Sequence, residues 1–414
     1  MTQEMFAGID IGSESAVCII AEVDEDGVLH ITGAGQSPTS GSVLEGVIVD
    51  LPGASRAVTQ AAAEAESLSS WKVTEAAVSI SGAHVRGFPG RGTVNVERED
   101  EFVSGKIEWM DIEDAVETAQ LIKLPRESMV LRTEKCGYTI DGSSMLRRPP
   151  VGLRAERLTA DIYMVTADRT AVLNLEQVIH DAGIRVTSIH PAASASARSV
   201  LTVDEMDMGV VLADIGASTT DLAVYHSGAL AHLAVIPMGG EDITRALQHI
   251  RIPRHEAERL KRENVDLTRD RRPAEAEITV STFGGRGTVP VAAEAVKEIA
   301  YRSIGSLMGE ILCELRQAGI QESDVPAGVV LSGGSSHLKG LEEAASRIIG
   351  LPVVVGRPGG VDVSSSLIES AEFANAVGLV LLSHEEEHEL EQIRMNGPLD
   401  RAVNKIRGWI RKLR

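Results

Sequence analysis

The sequence predicts an α/β protein built from two similar halves, and three observations lead there. Aromatic residues are only 3% of the 414 positions while hydrophobic residues reach 43%. Val, Ile, Leu and Ala must therefore make the core, which favours mixed α/β layers over an aromatic-rich β-sandwich. One pattern occurs twice: AGIDIGSESAVCIIAEV at 7–23 and GVVLADIGASTTDLAVY at 209–225. Finally, GVVLSGGSSHLKGLEE, beginning at Gly328, runs an apolar strand into paired glycines and then into a helix from about Leu338. A chain of this length suits two or three domains.

Each copy of the repeat has an apolar strand, then Asp-Ile-Gly, a short run of small polar residues and a second apolar strand. That is a β-hairpin with a small-residue turn. A carboxylate at the strand end can sit near a phosphate-bound Mg²⁺ or its waters. The glycine lets backbone N–H groups approach phosphate oxygens closely. Ser13, Ser15, Ser218, Thr219 and Thr220 add hydroxyl donors. Two copies about 200 residues apart point to two half-domains facing one phosphate chain. At Ser332–Ser335 the paired glycines allow close approach of a flat ligand or phosphate, with a helix N-terminus behind it.

Other chemistries find little support. No GxxxxGK[ST] and no Gly-x-Ser-x-Gly elbow occur, which excludes a P-loop and leaves a hydrolase triad unsupported. His384-Glu385-Glu386-Glu387-His388 fits H-E-x-x-H, but a zinc helix needs a buried apolar side and a third ligand, and this stretch is almost wholly charged. It reads as an acidic spacer. The net charge of −20 argues against nucleic acid. Cys18, Cys136 and Cys313 are scattered and unpaired, as in a reduced cytosolic protein. The N-terminus shows no signal-peptide pattern, and no uncharged apolar run reaches the ~18 residues needed to cross a bilayer.

The acidic chain finishes in a basic tail, GPLDRAVNKIRGWIRKLR, residues 397–414, carrying six Lys or Arg and one Asp. On a helix at about 100° per residue, Leu399, Val403, Ile406, Trp409, Ile410 and Leu413 share one side. Arg401, Lys405, Arg407, Arg411 and Lys412 take the other. A basic face beside a Trp/Ile/Leu face suits an anionic bilayer surface, each basic residue adding about 1 kcal/mol. The alternatives are a helix docked on the body or in a protein groove. Residues 383–397, charged and polar, read as a solvated linker or frayed helix.

The three glycine-bearing stretches, in this order, resemble the actin-like (ribonuclease-H-like) ATPase superfamily. VTSIHPAASASARSVL (186–201) looks like its connecting helix, and IPMGGEDIT (236–244) and AERLK (257–261) fall where it places a hinge and adenosine contacts. Within it, the chain is similar over essentially its full length to the FtsA family of bacterial cell-division proteins. The marks are AAVSISGAHVRG (76–87), Tyr138–Gly142, PPVGLRAERL (149–158) and the basic amphipathic C-terminus.

The resemblance implies an organisation. Residues 1–83 and 166–205 would form a first actin-like lobe, and 84–165 an inserted subdomain. Residues 206–240 and 301–383 would form a second lobe, and 241–300 its inner part. An acidic linker (384–396) and a membrane-targeting helix (397–414) would follow. The lobes would flank a nucleotide cleft. The resemblance also implies ATP and Mg²⁺ as cofactors. The implied partners are FtsZ through its C-terminal tail, further copies of the chain in a filament, anionic lipid and later division proteins, at the cytoplasmic face of the membrane.

Carried over residue by residue, Asp10 and Asp214 would face Mg²⁺, directly or through water. Gly12, Ser13, Ser15, Gly216, Ser218 and Thr219 would line the phosphates. Glu258 and Lys261 would reach the ribose and adenine edge, though their spacing also suits a plain surface ion pair. Gly333, Gly334 and Ser335 would flank the base and α-phosphate. Ser15, where the family often has Lys, and Ala217 and Ser218, where it commonly has Gly-Gly, would weaken phosphate contacts. His190 stands where hydrolytic relatives place a water-orienting acid, so slow hydrolysis or none is expected. The rivals are an actin-like pilus-assembly adaptor, a chaperone or kinase ATPase on the same fold, and a membrane scaffold without nucleotide.

Overall fold

A computed structural model describes residues 4–97, 104–268, 276–363 and 370–395. The tail at 397–414 lies outside them. The chain divides into two compact units. One comprises 1–80, 169–200 and 357–414, the other 81–168 and 201–356.

The first unit begins with β1 (Met5–Ile11), β2 (Ser15–Val23) and β3 (Leu29–Pro38), an antiparallel meander. A small hairpin of β4 (Val43–Leu44) and β5 (Val47–Ile48) leads to α1 (Leu51–Ser69). Pro52 fits the first turn of α1, where its missing N–H costs nothing. The buried residues of α1, Ala54, Ala57, Val58, Ala61, Ala62 and Ala65, keep helical spacing, and their small size lets the helix lie close on β2 and β3. Strand β6 (Glu75–Ile80) then pairs parallel to β1.

The chain next enters the insert. It holds β7 (Arg86–Asn95), β8 (Gly105–Lys106), α2 (Trp109–Ala119), β9 (Ser128–Ile140), β10 (Arg154–Ala155) and β11 (Arg157–Asp168). The three long strands form a sheet in the order β7-β11-β9. Val96, Ile107, Ile112, Ala115, Tyr138 and Leu158 give it a core of its own. Helix α2 turns Ile112, Ala115 and Ala119 inward.

Back in the first unit, α3 (Arg169–Asp181) precedes β12 (Arg185–Pro191), which pairs parallel to β6, and α4 (Ala192–Val200). The second unit resumes with α5 (Val203–Met208), then β13 (Val210–Ile215), β14 (Thr220–His226) and β15 (Ala229–Ile236). Helices α6 (Gly240–Gln248) and α7 (Arg254–Asn264) follow, then the hairpin β16 (Glu277–Ser281) and β17 (Thr288–Ala292). After α8 (Ala293–Gln317) come β18 (Val329–Ser332), α9 (Leu341–Ile349) and β19 (Val353–Val355). The sheet order is β15-β14-β13-β18-β19. Val296, Ala300, Ile304, Leu307, Ile311 and Leu315 are the buried stripe of α8. The expected boundary between 300 and 301 therefore falls inside one continuous helix.

Strand β20 (Asp362–Val363) extends the first unit's sheet beside β3, and α10 (Ala374–Met395) covers that sheet. The sheet reads β12-β6-β1-β2-β3-β20. Here the domain expectation is corrected. The resemblance places residues 357–383 in the second lobe, yet α10 packs on β1 and α4 of the first unit. Gly8 shows why: a Cβ there would lie 2.5 Å from Ala376 O, so only bare backbone lets α10 approach β1. The linker expectation is corrected too. Residues 384–395 continue α10, and Arg198 Nε donates to Glu385 Oε1 at 2.6 Å. No helix of the described residues is long and apolar enough to cross a membrane.

Candidate functional site

The repeated motif closes the same way twice. In the first unit Gly12 N donates to Ser15 O at 2.9 Å; in the second Gly216 N donates to Thr219 O at 2.8 Å. Each bond links a glycine to the carbonyl three residues on, in the turn of an antiparallel hairpin that carries an aspartate on its first strand. The duplication read from the sequence is thus present at atomic detail.

In the first unit, Asp10 lies near the end of β1 and accepts a hydrogen bond from Ser79 Oγ at 2.5 Å. Burial pushes its carboxyl up, and the serine hydroxyl offsets part of that. Ser13 O accepts from Thr39 Oγ1 at 2.8 Å, and Gln36 Nε2 donates to Ser15 Oγ at 2.9 Å. His190 stands on β12 beside Ser79 of β6, the serine that bonds Asp10. Its buried imidazole has Ser188 Oγ at 2.9 Å and Glu386 of α10 at 3.8 Å, and neither belongs to a phosphate turn.

In the second unit the other predicted residues gather around Gly216 and Gly240. Gly216 O accepts from Gly240 N at 3.0 Å and from Ser335 Oγ at 2.8 Å, joining the second hairpin to the Gly333-Gly334-Ser335 turn. Gly333 has φ +79°, and a Cβ on it would stand 2.3 Å from Asp214 Oδ1. Lys261 Nζ bonds Glu258 Oε2 at 2.8 Å and Gly240 O at 3.2 Å. Thr244 Oγ1 donates to Glu258 Oε2 at 2.6 Å. The Glu258–Lys261 ion pair foreseen from their spacing does form, but on a half-buried face tied to α6. Ser218 and Thr219 are buried in the turn. Gly334 opens a 3-10 turn to His337, and α9 starts at Leu341 rather than Leu338, after Gly340 at φ +76°.

Sequence reasoning missed Asp221. It pairs directly across the hairpin from Asp214, is 5% exposed, and accepts a hydrogen bond from Ser81 Oγ at 2.8 Å. Like charges placed opposite each other repel, so such a pair calls for a donor or a cation. Its signal was the last residue of ASTTD, which the hairpin register places opposite the motif's first Asp. Thr244, Ser79 and Ser81 were also missed, because nothing local in sequence marks a serine or threonine as a carboxylate's partner.

Among the described residues no three His, Cys, Asp or Glu side chains gather to hold a metal by themselves. A Mg²⁺ here would take most of its ligands from phosphate and water. The residues fit the anionic phosphate ligand that would carry it. A Cβ on Gly240 would lie 2.2 Å from Ser335 Oγ and 3.5 Å from Lys261 Nζ, so bare backbone, a hydroxyl and an ammonium meet at one point.

A family model described as cell division protein FtsA matches residues 211–378, and one described as the SHS2 domain inserted in FtsA matches 82–166. The cell division protein FtsA of Neisseria meningitidis serogroup B is 32% identical over 91% of this chain and 90% of its own length. That of Pseudomonas aeruginosa is 30% identical over 98% and 97%. Among solved structures, a chain of the PilM-PilN type IV pilus biogenesis complex superposes with TM-score 0.66 and 18% identity, covering 92% of this chain and 98% of that one. MreB5 of Spiroplasma citri bound to AMPPNP gives 0.56 and 12%, covering 95% and 99%. These two likenesses show the actin-like fold.

Proposed function

Because the chain belongs to the FtsA family of cell division proteins, we propose that it binds ATP with Mg²⁺, polymerises, and tethers FtsZ filaments to the cytoplasmic membrane. Residues 397–414 are the tether, and later division proteins are recruited at the same place. The observation that carries the reading is the match of two family models of the same family, one to residues 82–166 and one to residues 211–378.

Nucleotide binding draws on the glycine turns and on Lys261, Glu258 and Ser335. A bound nucleotide's Mg²⁺ would neutralise phosphate charge beside Asp10 and Asp214. The AMPPNP in the MreB5 structure is a property of that protein, and it supports the same ligand class here. Hydrolysis is slow or absent, since the position of the water-orienting acid holds His190, an imidazole already engaged by Ser188.

Membrane tethering draws on the two-sided tail. Liposome co-sedimentation tests it, using the full chain and a chain ended at Asn396, each with and without FtsZ. The full chain should pellet with anionic vesicles and bring FtsZ down. The shortened chain should stay in the supernatant yet still bind ATP. Equal pelleting of both chains refutes the tether.

A further inference from the structure

We infer that Ser79 and Ser81 are positioning residues, each donating its hydroxyl hydrogen to the aspartate of one phosphate turn and fixing the direction in which that carboxylate presents its other oxygen. The inference rests on the nucleotide reading above.

The two serines are separated only by Ile80, at the end of β6, yet they serve different hairpins. Ser79 Oγ lies 2.5 Å from Asp10 Oδ1 in the first unit. Ser81 Oγ lies 2.8 Å from Asp221 Oδ2 and 3.5 Å from Thr219 Oγ1 in the second. The sequence VSISG therefore gives each hairpin one serine hydroxyl, to first-strand Asp10 in one and to second-strand Asp221 in the other. An ionised carboxylate offers only acceptors, and a serine hydroxyl offers one hydrogen. Once that hydrogen is given to one oxygen, the second oxygen is oriented for a cation or for the waters around it.

Asp221 has the greater need. It is buried and faces Asp214 across the strands. A carboxylate so placed costs free energy unless a donor or a cation answers it. Ser79 is itself buried, at 4% exposure, so its hydroxyl is held by the fold. Removing a partner that orients a metal-facing carboxylate typically costs about 10–100-fold in metal affinity.

The test is calorimetric titration of ATP into the full chain, once with Mg²⁺ and once with EDTA. The variants are Ser79→Ala, Ser81→Ala, the hydroxyl-keeping Ser79→Thr and Ser81→Thr, and the size-keeping Ser79→Cys and Ser81→Cys. Thermal melts accompany each titration. The expected result is a loss of about tenfold in the Mg²⁺ arm for the Ala and Cys variants, less than twofold change in EDTA, and recovery with Thr. The Cys variants keep the test open if an Ala variant fails to fold. Wild-type affinity in the Ala and Cys variants overturns the positioning role and leaves the nucleotide reading standing. An equal loss in both arms also overturns it, since that marks a structural role. No ATP binding by the wild-type chain in either arm overturns the nucleotide reading itself, and the positioning role with it.

Discussion

Lys261 Nζ stands 2.8 Å from Glu258 Oε2 and 3.2 Å from Gly240 O, so one ammonium ties α7 to the first turn of α6. Burial pushes the Glu258 carboxyl up. Hydrogen bonds from Lys261, Thr244 and Arg262 outweigh that and bring it from 4.5 down to about 2. A depressed carboxylate stabilises the fold above its unfolded pKa and loses that contribution as pH falls toward the folded one. With 28% of the side chain exposed, solvent screening limits the contribution to about 1–2 kcal/mol. Glu258→Gln should therefore be less stable than wild type by that amount at neutral pH, in urea denaturation. The difference should shrink as pH falls from about 5 to about 2. A gap that does not change with pH counts against the ion pair as its source.

Gly333 couples backbone shape to Asp214. Its φ of +79° is disfavoured for any other residue, and a Cβ would press on Asp214 Oδ1 at 2.3 Å and Ile215 O at 2.6 Å. Gly333→Ala should cost about 1–3 kcal/mol and move the aspartate. ATP affinity in Mg²⁺ should fall further than the stability loss alone accounts for. Chemical denaturation and equilibrium titration on one preparation separate the two effects.

The sequence announced the hairpins because each packs strand, Asp-Ile-Gly turn and strand into seventeen consecutive residues. The same locality made the Glu258–Lys261 pair readable. What stayed hidden depends on contacts between distant segments. Ser79 meets Asp10 across 69 positions and Ser81 meets Asp221 across 140. Helix α10 looked like part of the second lobe because its sequence neighbours are there, whereas its apolar face is complementary to Gly8 on β1. The charged half of α10 resembled a spacer because polarity by itself does not distinguish a loop from a solvated helix.

Strand β15 is the edge of the second unit's sheet, and the insert covers it with side chains. Tyr163 Oη accepts from Leu233 N at 2.9 Å, and Cys136 Sγ approaches Leu230 O at 3.5 Å. Tyr163→Phe would leave a buried backbone N–H without its acceptor, costing about 1–3 kcal/mol. Amide exchange at Leu233 should quicken more than at residues of β13. Unchanged protection at Leu233 contradicts the capping role.

The three thiols should separate by reactivity. Burial pushes Cys18 up to about 12, with Glu66 adding to it, and pushes Cys136 up to about 11, with Glu134 adding to it. Cys313 is exposed on α8. Because the thiolate is the nucleophile, a disulfide reagent at pH about 8 should modify Cys313 promptly and the other two only on unfolding. Mass mapping of the modified peptides reads the order, and early labelling of Cys18 contradicts the burial described.

Helix α10 is part of the first unit's core along residues 374–382. Leu379 is fully buried and packs with Ala77, Ala195 and Leu382. Leu379→Ala should cost about 2–5 kcal/mol, as large-to-small changes in a closed core do. The Arg198–Glu385 pair further along is over a third exposed on both sides. Arg198→Ala or Glu385→Ala should therefore change stability by no more than about 1 kcal/mol. A chain ended at Phe373 removes the helix and exposes Gly8, Val17 and Ala77, so it should fail to give a folded first unit. A chain ended at Asn396 keeps every described contact of α10 and should melt with the full chain. Scanning calorimetry on the three variants and the two shortened chains decides the matter. An Asn396-ended chain that melts well below wild type would mean that residues 397–414 contribute to the fold itself, which conflicts with their assignment as a membrane tether.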